Sequence, residues 1–110
     1  MTARYVLTAQ AKQDLAEIAD YIAESSGLAP AEQVVRELQR GFQFLAEQPD
    51  VGHGREDITD DPEVRFWSVY SYLIVFVPAA KPLAVVSILH GARDPKNIAE
   101  HIRDARAREE

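Results

Sequence analysis

Three side chains with distinct chemistry stand together at the end of the most hydrophobic run of the sequence. His90, Arg93 and Asp94 follow residues 85–89, which are apolar apart from one serine, and Gly91 closes the run as a turn. Histidine is the commonest proton shuttle near neutral pH, and an arginine can stabilise the negative charge of a reacting phosphate. The three residues therefore point either to acid–base chemistry or to a binding site at the end of a buried strand.

The same residues also fit a purely structural role. Arg93 and Asp94 would then pair with each other or with a neighbouring strand, and His90 would hydrogen-bond the backbone. Residue types favour this structural alternative, because no nucleophile or second base is spaced to complete a known catalytic constellation.

A second candidate surface lies in an earlier β-prone run. Strand alternation places Arg65 and Trp67 on one face, where a guanidinium and an indole can hold a base or a partner's side chain. An equally good alternative is an edge-strand charge that discourages aggregation.

The glycine-rich segment and the histidines give weaker signals. Residues 52–57 hold two glycines and an arginine, but they lack the Lys-Ser/Thr pair and the strand-to-helix position of a phosphate-binding loop. His53, His90 and His101 have no partner ligand at the i,i+4 spacing of a helix. We therefore expect no metal site, and nothing in the sequence indicates a cofactor.

Composition limits the function classes. With 110 residues, 46% of them apolar, the chain has room for one domain with a real core. No apolar run approaches the length that crosses a bilayer, and the first residues lack the apolar core of a signal peptide, so we expect a cytoplasmic protein. There is no cysteine for a disulfide, and a net charge of −6 disfavours direct binding to nucleic acid.

The charges are unevenly spread along the chain. Five carboxylates fall within residues 56–63, whereas Arg103, Arg106 and Arg108 cluster near the C-terminus. This asymmetry predicts opposite charged faces or a basic tail.

Two amphipathic helices are expected to position the strands. Thr8 can cap the first, whose apolar stripe ends before Gly27, and Pro30 opens a second that ends at Pro49. With only about four residues between them, they should pack as an antiparallel hairpin.

Three strands in close order, over residues 64–70, 72–77 and 83–89, predict an antiparallel meander. A short β-prone run at residues 4–7 precedes the helices and should pair with one of these strands. The final segment has helical periodicity. The expected fold is an α+β, two-layer β-α-α-β-β-β(-α) arrangement, with a domain over residues 1–95 and a helical tail over 96–110.

One hairpin covers only one face of a sheet, and these strands are too apolar to leave the other face wet. We therefore expect a partner's helix or strand to cover the second face, and we expect the isolated protein to associate with itself.

Four segments in this order resemble the ParE branch of the RelE/ParE toxin superfamily, the toxin halves of bacterial type II toxin–antitoxin modules. They are residues 8–18, 52–59 (GHGREDIT), 71–76 (SYLIVF) and 88–94 (ILHGARD). The resemblance covers about 95 residues and implies the same β-α-α-β-β-β order. It also implies a ParD-like antitoxin of the ribbon-helix-helix type, with which the toxin forms a hetero-oligomer, and inhibition of DNA gyrase by binding.

RelE-like relatives instead cleave messenger RNA, with several basic residues around the message and a late Tyr or His. This chain has three lysines, no tyrosine after Tyr72, and Ala92 where many relatives are basic, so the resemblance favours the ParE branch. RNA cleavage would use Arg65, His90 and Arg93, and a degenerate, non-toxic relative is a further alternative. For a binding toxin, the candidate partner contacts are Arg65, Trp67, Tyr72, Ile74, Phe76 and Arg93.

Overall fold

Two helices follow a short first strand. In the computed structural model, which describes residues 4–108, β1 (Tyr5–Leu7) leads into α1 (Ala9–Ser26) and α2 (Leu28–Glu47). The hydroxyl of Thr8 accepts a hydrogen bond from the Ala11 amide at 3.2 Å, which confirms the predicted cap. Gly27 alone links the helices, with φ of 101°, so the link is shorter than the sequence predicted.

The C-terminal half supplies the rest of the sheet. A 3₁₀ turn (Pro49–Val51) and an irregular segment precede β2 (Arg65–Val69), β3 (Tyr72–Val77) and β4 (Leu83–His90), and α3 (Pro95–Arg108) closes the described chain. The predicted final helix is confirmed; residues 109 and 110 of the expected tail lie outside the described residues. No helix within residues 4–108 is long and apolar enough to cross a membrane.

The four strands form one mixed sheet in the order β1-β4-β3-β2. The meander of β2, β3 and β4 is antiparallel as predicted, and β1 pairs with β4 in parallel, with Leu7 opposite Val85. The predicted pairing of the first strand with a later strand is therefore confirmed. The helical hairpin connects β1 to the rest of the sheet, and the partner of β1 is β4, the strand that ends at His90.

Side chains on one face of the sheet pack under the helical hairpin. Phe42, Leu38 and Leu45 of α2 contact the inward-facing residues of β3 and β4. Ile74 and Phe76 belong to this layer and are completely buried. They were predicted as partner contacts, and this prediction is wrong, because alternation along β3 points them at the chain's own helices.

The opposite face is covered by α3. Ile98, Ile102 and Ala105 of α3 pack on the alternate residues of the same strands, among them Leu73 and Val75. The expectation of an uncovered face for a partner is therefore wrong, because residues after 94 form a packed helix that supplies the missing layer. The α+β class, the element order and the hairpin on one face are confirmed.

The acidic segment and the basic C-terminus meet rather than separate. The guanidinium of Arg106 lies 2.8 Å from a Glu63 carboxylate oxygen and 3.4 Å from one of Asp61. The prediction of opposite faces or a free basic tail is thus wrong for Arg106. These ion pairs tie α3 to the segment that precedes β2.

Candidate functional site

A cavity of about 420 Å³ opens where β4 ends. We call it the end pocket. Its walls come from α1, β3, β4, the turn after β4 and α3, and its lining residues are Asp14, Glu17, Ile18, Tyr21, Tyr72, Ile88, Leu89, His90, Arg93 and His101. Three residues that the sequence singled out, Tyr72, His90 and Arg93, therefore share one site.

His90 and Tyr72 form the aromatic wall of the end pocket. They are opposite each other in the β3–β4 register, and their rings meet edge to face with centroids 5.4 Å apart. Nδ1 of His90 accepts a hydrogen bond from the Ala92 amide at 3.1 Å. In the neutral ring the proton therefore sits on Nε2, which is left free to donate.

Arg93 and Asp94 have separate roles. They do not pair with each other, as the structural alternative had suggested. The Asp94 carboxylate accepts from the Lys96 amide at 2.8 Å, and its carbonyl accepts from the Ile98 amide, so Asp94 caps α3. The Arg93 side chain is exposed and forms no ion pair with another residue of the described chain. Of these three residues at the end of β4, Asp94 is structural, and His90 and Arg93 line the end pocket.

The floor of the pocket contains a buried carboxylate that sequence reasoning missed. Asp14 is 4% exposed, and its Oδ2 accepts from the Ser87 hydroxyl at 2.6 Å and from the Ile88 amide at 3.0 Å. β1 ends opposite Val85, so the edge of β4 beyond that point has no neighbouring strand among residues 4–108. The side chain of Asp14 takes the place of that strand and satisfies the Ile88 amide.

The same carboxylate joins α1 to α3. Oδ1 of Asp14 accepts from Gln10 at 2.8 Å, and Nε2 of His101 lies 3.2 Å from both carboxylate oxygens. Arg108 donates to Oε1 of Gln10 at 2.6 Å and continues the chain of contacts. The sequence did hold one signal: Asp14 lies three residues after Ala11 and four before Ile18, which places it on the apolar stripe of α1.

Arg65 and Trp67 lie at a different place on the sheet. Arg65 donates to the carbonyls of Pro62 and Val64 at 2.8 and 3.0 Å, and Trp67 stacks on His53 with ring centroids 6.2 Å apart. The hydrogen bonds fix the guanidinium against its own loop. An indole lying against His53 also makes Trp67 part of the packing at the β2 edge.

The strand register separates Arg65 from the end pocket. Arg65 is opposite Phe76, whereas His90 is opposite Tyr72 at the other end of β3. Four residues of strand correspond to about 13 Å. Arg65 therefore does not share a site with His90 and Arg93, and the set predicted for RNA cleavage is not assembled.

The segment before β2 blocks the outer edge of the sheet. The amide and carbonyl of His53 pair with those of Phe66 at 2.9 and 2.8 Å. Farther along, Arg55 donates two hydrogen bonds to Asp57, and the guanidinium holds the pKa of that carboxyl below its usual range. Gly52 thus serves close packing against the Phe76 ring, and the backbone of His53 protects the edge of β2.

Comparison with known proteins assigns the fold and its family. Residues 5–95 match the family described as "ParE toxin of type II toxin-antitoxin system, parDE". "Toxin ParE1" of Mycobacterium tuberculosis, from strains CDC 1551 / Oshkosh and ATCC 25618 / H37Rv, is 33% identical over 95 residues, which cover 86% of this chain and 95% of the relative. A solved structure titled "Chromosomal ParDE TA system from P. aeruginosa" has the same fold, with a TM-score of 0.68 and 21% identity over 81% of this chain and 96% of that one.

Proposed function

Because this chain belongs to the ParE toxin family of type II toxin–antitoxin systems, we propose that it is a toxin that inhibits DNA gyrase by binding. We further propose that a ParD-like antitoxin of the ribbon-helix-helix type binds and neutralises it in the cytoplasm. The observation that carries this proposal is the family match over residues 5–95, which takes in every strand and the helical hairpin.

The arrangement of basic residues supports binding over RNA cleavage. Cleavage needs a base, an acid and a charge stabiliser around one phosphate. Arg65 lies at the opposite end of the strands from His90, and it already donates to two backbone carbonyls. The chain also carries a net charge of −6, which opposes the close approach of an RNA backbone.

The composition of the end pocket supports a protein partner. Tyrosine and arginine are the residues that dominate the binding energy of protein interfaces, and Tyr21, Tyr72 and Arg93 border this one cavity. Tyr21 is 70% exposed, and its hydroxyl makes no hydrogen bond within the described chain, since only its backbone carbonyl accepts from Ser25. Such an aromatic side chain is available for burial against another protein.

Expression without an antitoxin tests the proposal. Induced cells should filament and show a DNA-damage response, while translation continues at first. Co-expression of the protein encoded in the adjacent reading frame should restore growth. An immediate stop in translation with cleaved messages would instead assign the chain to RNA cleavage, and normal growth with soluble toxin would identify a non-toxic relative.

A further inference from the structure

We infer that the end pocket receives a carboxylate side chain of the antitoxin, an inference that rests on the proposed function. The expected occupant is a protein segment in which an aspartate or glutamate stands next to an apolar residue. Seating this segment would cover Arg93 and His90 and fill the cavity between α1 and the end of β4.

Free hydrogen-bond donors converge on this cavity. The Arg93 guanidinium has no ion-pair partner among residues 4–108, although 18 carboxylates are present in the sequence. His90 has Nε2 free, because the Ala92 amide occupies Nδ1. The hydroxyls of Tyr21 and Tyr72 make no hydrogen bond within the described residues. An arginine can bind a carboxylate through two parallel charge-assisted hydrogen bonds, and neutral donors beside it can satisfy the remaining lone pairs.

The two carboxylates that border the pocket limit the charge of its occupant. Asp14 is buried, and its oxygens already accept from Ser87, the Ile88 amide and Gln10. Glu17 is exposed, and within the described part of the chain its carboxylate accepts only from the neutral side chain of Gln13. The donors of the end pocket can satisfy a single incoming carboxylate. A chain of phosphates carries more negative charge, so Glu17 and the net negative charge of the whole molecule would repel it.

The apolar lining of the end pocket explains why the occupant needs an apolar residue next to its carboxylate. Ile18, Ile88 and Leu89 line its inner wall, and the Tyr72 and His90 rings stand beside them. An aliphatic or aromatic side chain next to the carboxylate would bury against this wall. Desolvation by that side chain would also strengthen the contact between the carboxylate and Arg93.

Four single variants of the full chain test the inference, each measured for affinity to the adjacent-frame protein by calorimetry or biolayer interferometry. Arg93→Gln removes the proposed cation, and Arg103→Gln is its control, an exposed arginine on α3 that does not line the pocket. Glu17→Gln removes the opposing charge, and Glu24→Gln is its control on the same helix. Each control makes the same change in net charge as the variant it accompanies.

The direction in which each variant changes the affinity identifies the charge of the occupant. Arg93→Gln should weaken binding by about 10- to 100-fold, from the loss of a charge-assisted hydrogen bond. Glu17→Gln should strengthen it by about two- to fivefold, from relief of a partly screened repulsion. The controls should change affinity by less than about twofold.

Three other results would overturn the inference. A cationic occupant would reverse the signs, because Glu17→Gln would weaken the complex and Arg93→Gln would not. Equal effects of variants and controls would show only long-range electrostatics and would leave the proposed function intact. Failure of the unmodified chain to bind the adjacent-frame protein at all would contradict both the inference and the antitoxin partnership.

Discussion

Replacing the buried Asp14 with alanine should destabilise the fold far more than replacing an exposed carboxylate on the same helix. The carboxylate accepts from the Ser87 hydroxyl and from the Ile88 amide, and it lies beside His101 on α3. Asp14→Ala removes the acceptor and leaves the Ser87 and Ile88 donors inside the protein, where neither has another partner in the described chain.

The magnitude follows from these two buried donors. A buried hydrogen bond to a charged group contributes about 1.5–3 kcal/mol. The contacts with Gln10 and His101 add less, because both side chains can turn toward water. Part of the loss is offset, since the variant no longer buries a charge. We therefore expect the free energy of unfolding to fall by about 3 kcal/mol, out of a total of about 5–15 kcal/mol for a domain of this kind.

Urea unfolding followed by tryptophan fluorescence measures this loss. Trp67 is the single tryptophan, and it lies 5.4 Å from Phe44 between ring centroids, so unfolding changes its surroundings. A loss of 3 kcal/mol moves the midpoint by about 1.5 M urea at an m-value of about 2 kcal/mol/M. Asp20→Ala, an exposed carboxylate on the same helix, is the control and should change stability by less than about 0.5 kcal/mol.

A double-mutant cycle with Ser87→Ala separates the hydrogen bond from general effects on α1. The two substitutions share one interaction, so the double variant should lose less than the sum of the singles, by about 0.5–3 kcal/mol. The reasoning is refuted if Asp14→Ala and Asp20→Ala unfold at the same urea concentration. Additive losses in the cycle would refute the assignment to Ser87.

Two further predictions address the packing around the sheet. A stop after residue 94 removes α3 and uncovers the second sheet face, so the shortened chain should self-associate in light scattering at lower concentrations than the full chain does. Equal self-association of the two chains would show that the face tolerates water. Gly52→Ala should lower stability by about 1–3 kcal/mol in the same urea assay, because its new Cβ would overlap the ring of the buried Phe76. Gly54→Ala, which meets no atom within 4 Å, is its matched control, and equal stabilities would contradict the steric explanation.

Local periodicity was sufficient for the fold because each element carries its own signal. The cap at Thr8, the stop at Gly27 and the three β-prone runs are short-range features, and the structure places all of them close to their predicted bounds. The α3 layer was underestimated for the opposite reason. Ile98 and Ile102 repeat at helical spacing, but which sheet face they cover depends on a packing partner distant in sequence.

The site was harder to predict than the fold. His90, Arg93 and Tyr72 were found from residue type and strand position, and they do share a cavity. Asp14 was not singled out from the sequence, because a carboxylate is rarely buried without a partner. Its partners are the edge of β4 and a histidine on α3, both distant in sequence. The sequence alone does not predict these contacts, because it does not show that β1 ends beside Val85.

The most direct test of the proposed function is a DNA supercoiling assay with purified gyrase and this chain released from its antitoxin complex. The account predicts that supercoiling falls as the toxin is added, and that activity returns when the antitoxin is supplied. It also predicts that Asp20→Ala, which lies outside the end pocket, inhibits as well as the unmodified chain. Undiminished supercoiling at an excess of folded toxin would contradict the account.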